Sequence, residues 1–416
     1  MPFSSLNLSP ALLSAIAERG YLTPTAIQSA AIPAILQGRD VVASAQTGSG
    51  KTAAFALPLL QKISAIPAVA RGAIRPTSAL ILVPTRELAA QVGETVVSLS
   101  TRLTRRVKVA VVFGGVSINP QMMNLRGGAD IIVATPGRLL DLIDHNALSI
   151  SVLSTLVLDE ADRLLDLGFG EELQRILKLL PATRQTLFFS ATFPPAIEKL
   201  ATTMLREPLR IETVQTADAK PDIVQRAFEV DAPKRTQLLR HLLQNPQWSR
   251  VLVFVATKHA AEIVSEKLRK YSIKAEPFHG ELSQGKRQQV LHDFKAKALQ
   301  VMVATDVAAR GIDITQLPVV VNFDLPRSAV DYTHRIGRTG RAGEPGIAVS
   351  FVSADSEAHF RLIEKRQGIR VAREQIEGFE PTEAAKLNAE AAAGTGGIKG
   401  VRPSKKDKLR AAKALG

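Results

Sequence analysis

The sequence predicts an α/β fold with two tandem domains, each a mostly parallel sheet that is covered by helices on both faces. Short apolar, β-branched runs alternate with helical patterns, and a continuously apolar run indicates a strand that is buried on both faces. The chain has 416 residues, which is more than one hydrophobic core usually organises, so two domains are expected.

The predicted strands fall into two groups along the chain. The first group is VVASA, ALILVP, VAVVF, DIIVAT, TLVLD and TLFFSAT, and the second is RVLVFVAT, KAEPFHG, QVMVAT, PVVVNFD and GIAVSFV. A polar stretch with a proline, around residues 214–223, separates them and indicates a linker. The predicted boundaries are 1–30 for an N-terminal segment, 31–212 for the first domain, 213–222 for the linker, 223–370 for the second domain and 371–416 for a basic tail.

The charge of the chain predicts a polyanionic partner. The net charge is +14 and the pI is near 10.0. A merely soluble basic protein would carry the same charge. Aromatic residues make up only 5% of the chain, which is few for a protein that binds single strands by stacking bases. We therefore expect sugar–phosphate contacts with little sequence preference.

The cysteine count and the N-terminus indicate the compartment. The chain has no Cys, which excludes disulfides and thiolate metal sites and suits a reducing compartment. The N-terminus shows no signal-peptide pattern. The uncharged run 20–38 contains prolines and glutamines, so we do not expect it to span a membrane. These features predict a cytoplasmic protein.

The end of the chain is rich in cations. Residues 402–416 hold six Lys or Arg against one Asp, a net charge of +5. A solvated tail is one interpretation of this run, and an auxiliary nucleic-acid contact is the other.

One stretch has the pattern of a phosphate-binding loop. ASAQTGSGKTAAF follows an apolar strand and opens a helix, although Ala45 replaces the first glycine of the usual G-x-x-x-x-G-K-[ST]. Its glycines let backbone N–H groups approach phosphates at the helix N-terminus. Lys51 would reach the β- and γ-phosphates, and the Thr52 hydroxyl would bind Mg²⁺. The alternative is a glycine-rich turn with an unrelated lysine. The predicted loop residues are Ala45, Gln46, Thr47, Gly48, Ser49, Gly50, Lys51 and Thr52.

Three carboxylates, Asp159, Glu160 and Asp162, occupy four positions at the end of the strand TLVLD. Like charges this close repel, so a positive partner is expected. An enzyme with a phosphate loop needs an acid that holds Mg²⁺ and a base that orients water. Asp159 fits the first role and Glu160 the second, with Lys51 and Mg²⁺ as the positive charge. The alternative is a solvated acidic start of a helix.

Seven motifs in order resemble those of the DEAD-box RNA helicases: AQTGSGKT, PTREL, TPGR, DEAD, SAT, ATDVAARGID and HRIGRTGR. The resemblance covers residues 1–370. It implies two RecA-like domains, ATP and Mg²⁺ as cofactors, and RNA as the partner. The ending IEGFEP and the compact size are most similar to the bacterial RhlE-type subgroup, which often has an Arg/Gly-rich tail where this chain has a short Lys-rich one.

The resemblance assigns the remaining nucleotide contacts. In GYLTPTAIQ, Gln28 would pair with the adenine edge and Tyr21 would pack on the base, while Ala26 replaces the usual second Pro. Phe3 lies where the family also has an aromatic residue. In the second domain, Gly311 and Asp313 would belong to the nucleotide site, with Asp313 at the ribose. Arg338 and Arg341 resemble arginine fingers, which stabilise charge on the transferred phosphoryl group.

The resemblance also assigns RNA contacts and a coupling network. Ser190 and Thr192 of SAT would contact Asp162 and link the ATP state to strand separation, and His334 would meet Asp162 or SAT across the cleft. Arg335 is expected to pair internally. Thr85 and Thr135 are typical helix N-caps, so a capping-only role is the alternative at those sites. The predicted RNA contacts are Pro84, Thr85, Arg86, Gly114, Gly115, Thr135, Arg138, Gln284, Arg287 and Thr305.

These assignments predict an ATP-dependent RNA helicase that unwinds or remodels RNA duplexes and ribonucleoproteins locally and without processivity. Ribosomal precursor particles or RNA-decay proteins are the partners that the resemblance suggests. Two alternatives stay open at this point: an ATP-gated RNA clamp and a DNA helicase of the wider superfamily.

Overall fold

Two seven-stranded sheets, one in each half of the chain, form the framework of the computed structural model. The structure describes residues 2–44, 48–67, 69–70, 72–212, 223–309, 314, 317–340 and 345–382. The strands of both sheets are parallel, and helices connect them. The predicted α/β fold with two tandem domains is confirmed.

The first sheet has the order β3-β4-β2-β5-β6-β1-β7. Its strands are β1 Val41–Ser44, β2 Ala79–Leu82, β3 Val109–Val112, β4 Ile131–Ala134, β5 Thr155–Leu158, β6 Gln185–Ser190 and β7 Leu209–Glu212. The helices of this half are α1 Pro10–Glu18, α2 Ala26–Leu36, α3 Lys51–Ser64, α4 Arg86–Leu99, α5 Asn119–Leu125, α6 Pro136–Asp144, α7 Ala161–Asp166, α8 Gly170–Leu179 and α9 Pro195–Met204, preceded by a 3-10 helix Phe3–Leu6.

The second sheet has the order β10-β11-β9-β12-β13-β8-β14. Its strands are β8 Ile223–Glu229, β9 Val251–Val255, β10 Ala275–Phe278, β11 Val301–Thr305, β12 Val319–Asn322, β13 Gly346–Val352 and β14 Arg373–Glu374. Its helices are α10 Arg235–Leu242, α11 Lys258–Arg269, α12 Gln284–Lys295, α13 Asp306–Ala309, α14 Ala329–Ile336 and α15 Glu357–Gln367, with short 3-10 helices at Ala232–Lys234 and Ala354–Ser356.

Each sheet has apolar cores on both of its faces. In β2, Leu80 and Leu82 belong to one core and Ile81 to the other, because successive side chains of a strand point to opposite faces. In β9, Val251 and Val253 lie in one core and Leu252 in the other. Burial on both faces explains why these strands are continuously apolar in the sequence.

Residues 371–382 pack on the second domain. β14 pairs with β8, and Phe379 packs on the core around β9. The Thr382 backbone N–H and hydroxyl both donate to Asp231 Oδ2, at 2.8 and 2.9 Å. The rest of the predicted tail, 383–416, and the predicted linker 213–222 lie outside the described residues. None of the helices in the described ranges has the length and apolar character that crossing a membrane requires.

Candidate active site

The functional motifs of the first domain divide one edge of its sheet into two halves. The phosphate loop, DEAD and SAT follow or end β1, β5 and β6, which are neighbours in the sheet. PTREL, the Gly114–Gly115 pair and TPGR follow β2, β3 and β4, which are neighbours on the other side. Parallel sheets bind ligands beyond the carboxyl ends of their strands. We name the two groups of strand ends the nucleotide half and the RNA half, after the roles predicted for their motifs.

A cavity of about 520 Å³ opens in the nucleotide half. It is bounded by the segment before α2, the start of α3, the start of α7 and one face of α4. The predicted nucleotide residues that line it are Tyr21, Gln28, Gly48, Gly50, Lys51, Thr52, Asp159 and Glu160. Phe3 is instead buried in the core under α2. Ala45, Gln46, Thr47, Gly311, Asp313 and Arg341 lie outside the described residues.

Gln28 joins the adenine segment to the phosphate loop. Its side-chain Oε1 accepts from the Thr25 backbone N–H at 3.0 Å, which completes a capping box at the start of α2. Its Nε2 donates to the Gly50 carbonyl at 3.1 Å. Gly50 has φ +88°, and a Cβ there would overlap Gln28 Nε2, so this position requires glycine. The amide keeps one N–H and one lone pair for a ligand.

Lys51 and Asp159 form a buried pair at the phosphate end. Lys51 Nζ and Asp159 Oδ1 lie 3.7 Å apart, and both side chains are almost completely buried. Neither atom has a hydrogen-bond partner. A buried ion pair that makes no hydrogen bond compensates its desolvation poorly, so a bound anion at Nζ and a cation at Oδ1 would complete the site.

The residues present fit Mg²⁺ together with a nucleotide. Protein Mg²⁺ sites often use one or two side-chain oxygens and take the remaining ligands from phosphates and water. Asp159 and Thr52 line the same cavity and supply such oxygens. Within the ranges that the structure describes, no cluster of three or more His, Cys, Asp or Glu could hold a metal by itself.

Glu160 has an unusual backbone conformation. Its φ of 54° and ψ of 53° are left-handed, which is strained for a residue with a side chain, and such strain concentrates at functional sites. Arg163, one turn later, donates to Glu160 Oε2 at 3.1 Å and fixes the carboxylate. Arg163 is not among the residues predicted from the sequence. Its position three residues after Glu160, where side chains of a helix are neighbours, does indicate this ion pair.

Burial raises the pKa of Asp159 from its ordinary 3.8 to about 6, with Lys51 opposing this shift and Glu160 adding to it. Between these two pKa values the folded state binds a proton more tightly than the unfolded state. The resulting stability is present below about pH 4 and is lost as the pH rises through about 6.

Asp159 should therefore contribute a loss of stability to the nucleotide-free protein between about pH 4 and about pH 6, and Asp159→Asn should lack that contribution, so its free energy of unfolding should rise relative to that of the wild-type protein over this range. Urea unfolding at a series of pH values would measure it in both proteins. An identical pH slope in the variant would contradict the assignment of the shift to Asp159.

Asp162 contacts the SAT segment, as the resemblance implies. The Thr192 backbone N–H and hydroxyl donate to Asp162 Oδ2 at 3.0 and 2.9 Å. The Asp162 backbone N–H donates to Ser190 Oγ at 3.3 Å, and that hydroxyl donates to the Thr192 carbonyl at 2.7 Å. The contact is present, and its role in coupling stays a prediction.

His334 of the second domain interacts electrostatically with this network. Burial lowers the pKa of His334, Arg163 lowers it further, and Asp162 opposes both. His334 is therefore near enough to Asp162 and Arg163 to sense their charges. Arg338 is buried and also lowers the pKa of His334.

Arg335 pairs inside the second domain, as expected. Its Nε and Nη2 donate to the two carboxylate oxygens of Asp306, each at 2.6 Å. Its Nη1 donates to Asn322 Oδ1 at 3.0 Å and to the Asp324 carbonyl at 2.6 Å. The guanidinium of Arg335 therefore has a structural role within the second domain.

Arg86 and Arg138, the predicted RNA-binding arginines of the first domain, have different surroundings. Thr85 caps α4 by accepting from the Leu88 backbone N–H at 3.3 Å. The guanidinium of Arg86 lies directly over Gly115, where a Cβ would overlap it. Arg138 is buried and donates to the Val116 carbonyl at 2.7 Å. Thr135 occupies the N-cap of α6 without a side-chain capping bond. Pro84 and Gly114 lie beside these residues in sequence.

Gln284 and Arg287 of the second domain contact the first domain. Arg287 Nε lies 2.9 Å from Glu87 Oε1, and both side chains are buried. Gln284 Nε2 donates to the same oxygen at 3.4 Å. Thr305 ends β11 and is half-buried. Sequence reasoning missed Glu87, because an acid in the first turn of a helix is ordinary there.

Comparison with known proteins identifies the family. Residues 25–200 match the family model described as DEAD/DEAH box helicase, and residues 234–343 match that of the helicase conserved C-terminal domain. The DEAD-box ATP-dependent RNA helicase CshA of Bacillus cereus is 42% identical over 363 residues, which are 87% of this chain and 67% of that protein. The ATP-dependent RNA helicase DbpA of Escherichia coli is 44% identical over 362 residues, which are 87% of this chain and 77% of that protein.

A solved structure supports the same assignment. Saccharomyces cerevisiae Dbp5 bound to RNA and ADP BeF3 is 32% identical with a TM-score of 0.76, over 90% of this chain and 95% of that one. The motifs, the two parallel sheets and these relatives agree, and the chain belongs to the DEAD-box family of ATP-dependent RNA helicases.

Proposed function

We propose that this chain hydrolyses ATP in response to RNA and uses the cycle to unwind or remodel RNA duplexes and ribonucleoproteins locally and without processivity. The observation that carries the proposal is the buried Lys51–Asp159 pair, whose facing atoms lack hydrogen-bond partners inside a cavity large enough for a nucleotide. The electrostatic influence of Asp162 and Arg163 on His334 of the second domain supports a site that both domains share.

Each residue has a proposed part in the reaction. Lys51 holds the β- and γ-phosphates, while Tyr21 and Gln28 orient the adenine. Glu160, fixed by Arg163, orients a water molecule and accepts its proton. Arg338 and Arg341 stabilise the charge that develops on the transferred phosphoryl group. Thr52 and Asp159 would hold Mg²⁺. When bound, the ion would act as a Lewis acid and neutralise part of that charge.

The division of the site between two domains explains the proposed dependence on RNA. Arg86, Arg138 and the Gly114–Gly115 pair are the proposed RNA grip of the first domain, and Gln284, Arg287 and Thr305 that of the second. A strand bound to both would hold the domains together, and only then do Arg338 and Glu160 face one nucleotide. Hydrolysis would allow the domains to separate and the RNA to leave.

A steady-state ATPase assay with no nucleic acid, with RNA and with DNA tests the proposal. We expect strong stimulation by RNA, little by DNA, and release of the shorter strand from a short RNA duplex. Equal or greater stimulation by DNA duplexes would favour a DNA helicase. Stable RNA binding with ATP but without multiple turnover would indicate a clamp.

Finer assignments extend the proposal. We propose residues 1–30 as an adenine-recognition segment, 31–212 and 223–370 as the RecA-like domains, 213–222 as the linker and 371–416 as the tail, of which residues 371–382 pack on the second domain. The RhlE-type subgroup rests on IEGFEP and the compact size. Ribosomal precursor particles or RNA-decay proteins are the proposed partners, and the cytoplasm is the proposed location.

A further inference from the structure

A cavity of about 440 Å³ lies on the second domain, between α10 and the end of α11. We call it the α10–α11 cavity. Pro233, Leu268 and the ring of Tyr271 give it apolar surface, and Thr236 and Gln237 add polar groups. None of its lining residues belongs to the motifs that predict nucleotide or RNA contacts. The cavity is therefore separate from the candidate active site.

The α10–α11 cavity is positively charged. Arg240, Lys267 and Lys270 line it, and none of the described acidic residues does. Lys270 Nζ lies 2.9 Å from Glu266 Oε1, and both of these side chains are exposed. In the part of the chain that the structure describes, neither Arg240 nor Lys267 has an acidic partner. The cavity thus offers two cations without an acid to a negatively charged ligand.

Tyr271 and Arg240 form a stacked pair at this cavity. The guanidinium carbon of Arg240 lies 4.0 Å from the centroid of the Tyr271 ring, which is within the range of a cation–π contact. A stacked guanidinium keeps its N–H donors in its own plane, where a carboxylate can accept two of them. Tyr271 is 60% exposed, and its apolar ring with a polar tip is of the type enriched in binding interfaces. The pair therefore combines apolar surface with donors for an acid.

The sheet separates the α10–α11 cavity from the predicted RNA contacts of α12. Leu239 of α10 and Leu268 of α11 belong to the core on one face of β9. Val290 of α12 belongs to the core on the other face. Gln284 and Arg287, the predicted RNA contacts of this helix, lie in its first turn. A ligand in the cavity would therefore not compete with a strand that these two residues bind.

Residues 376–380 of the chain, with the sequence IEGFE, show which kind of segment packs along α10. In this segment an aromatic residue lies among acids. The ring of Phe379 lies 5.6 Å from that of His241 in α10, and Lys234 Nζ donates to the Glu380 carbonyl at 3.4 Å. A peptide of the same composition suits the α10–α11 cavity, since it joins an apolar anchor to negative charge. A phosphate backbone matches the cations alone and leaves the apolar surface uncovered.

We propose that the α10–α11 cavity is a docking site for a segment of a partner protein in which acidic residues flank an aromatic or branched apolar residue. The apolar residue would pack on Leu268 and Tyr271, where its burial excludes water. The neighbouring carboxylates would pair with Arg240 and Lys267 at the rim. No nucleotide or RNA contact enters this inference, so it goes beyond the proposed function and does not depend on it.

The test selects a phage-displayed library of random short peptides on the full chain, after removal of the peptides that bind Lys267→Glu. The most enriched peptide is synthesised with a fluorophore. Its affinity for the wild-type protein, Lys267→Glu and Tyr271→Ala is then measured by fluorescence anisotropy. Lys178→Glu is the matched control, because Lys178 is also an exposed lysine in the last turn of a helix, α8. Thermal unfolding checks that all variants are folded.

We expect the enriched peptides to contain Asp or Glu on both sides of an aromatic or branched apolar residue. Lys267→Glu should weaken binding of the synthetic peptide about tenfold at low salt, because it replaces an attraction with a repulsion. Tyr271→Ala should also weaken binding about tenfold, because it removes the aromatic contact surface. Lys178→Glu should bind the peptide as the wild-type protein does.

Absence of enrichment on the wild-type protein, or enrichment of neutral or basic peptides, would overturn the proposal. Equal affinity of the acidic peptide for the wild-type protein and Lys267→Glu would do so as well. Displacement of the peptide by single-stranded RNA, with weaker RNA binding by Lys267→Glu than by Lys178→Glu, would instead identify an RNA site. The two lysine variants change the net charge equally, so a general effect of charge on RNA binding would be the same in both.

Discussion

Glu160→Gln should reduce RNA-stimulated ATP turnover by about a thousandfold while ATP and RNA affinities stay near those of the wild-type protein. A positioned base contributes about 10²- to 10⁴-fold to proton transfer, and an amide cannot accept the proton. The amide oxygen can still accept the hydrogen bond that Arg163 donates at 3.1 Å, so the local structure should persist. Single-turnover hydrolysis together with separate binding titrations would measure both effects.

Glu171→Gln is the matched control for this variant. Glu171 lies in the first turn of α8 and is exposed, so the same chemical change there should leave turnover unaffected. Normal RNA-stimulated ATPase activity in Glu160→Gln would refute its assignment as the base. A large loss of ATP affinity without a change in kcat would do the same, because it would indicate a binding role.

Arg338→Ala should lower kcat by about a thousandfold or more, with a smaller change in ATP affinity. Arginine fingers contribute about 10³- to 10⁵-fold, since they neutralise charge that appears only in the transition state. Arg338→Lys should recover little of the loss, because an ammonium group does not reproduce the planar guanidinium. The measurement is kcat and KM for ATP at saturating RNA, with thermal unfolding to verify the fold.

Arg335→Ala separates a structural effect from a catalytic one. Arg335 lies three residues earlier and its guanidinium is bonded to Asp306, Asn322 and Asp324. Removing it leaves the half-buried Asp306 and the buried Asn322 without their donor, so we expect a loss of about 1 to 3 kcal/mol in the stability of the second domain. If Arg338→Ala destabilised the protein as much and kept its kcat, Arg338 would be a structural residue.

The C-terminal boundary of the second domain could not be predicted from the local sequence pattern. Residues 371–382 have no long apolar run, and the sequence pattern places them in the tail. In the structure Phe379 packs on the core, and Asp231 accepts two hydrogen bonds from Thr382. Asp231 precedes Thr382 by 151 residues in the sequence. A short segment that is held in place by such a distant residue lacks the periodicity of a helix or strand, so its own sequence does not predict that it packs on the domain.

The two parallel sheets were predictable from the sequence, and so was the grouping of the nucleotide motifs at one sheet edge. Strands buried on both faces must be continuously apolar, and parallel strands bring their carboxyl ends to one edge, so motifs that follow strands meet whatever their separation in the chain. The carboxylates of DEAD and Lys51 could therefore be assigned to one site before any contact was known.

Which side chains pair across that edge could be learned from the folded chain and not from the sequence. The Glu87–Arg287 ion pair joins two domains, and the face of α4 toward the cavity depends on how the helix packs on its core. The left-handed backbone of Glu160 likewise depends on its surroundings. These features follow from packing between distant segments, and the local sequence of each segment is compatible with several partners, so it specifies none of them.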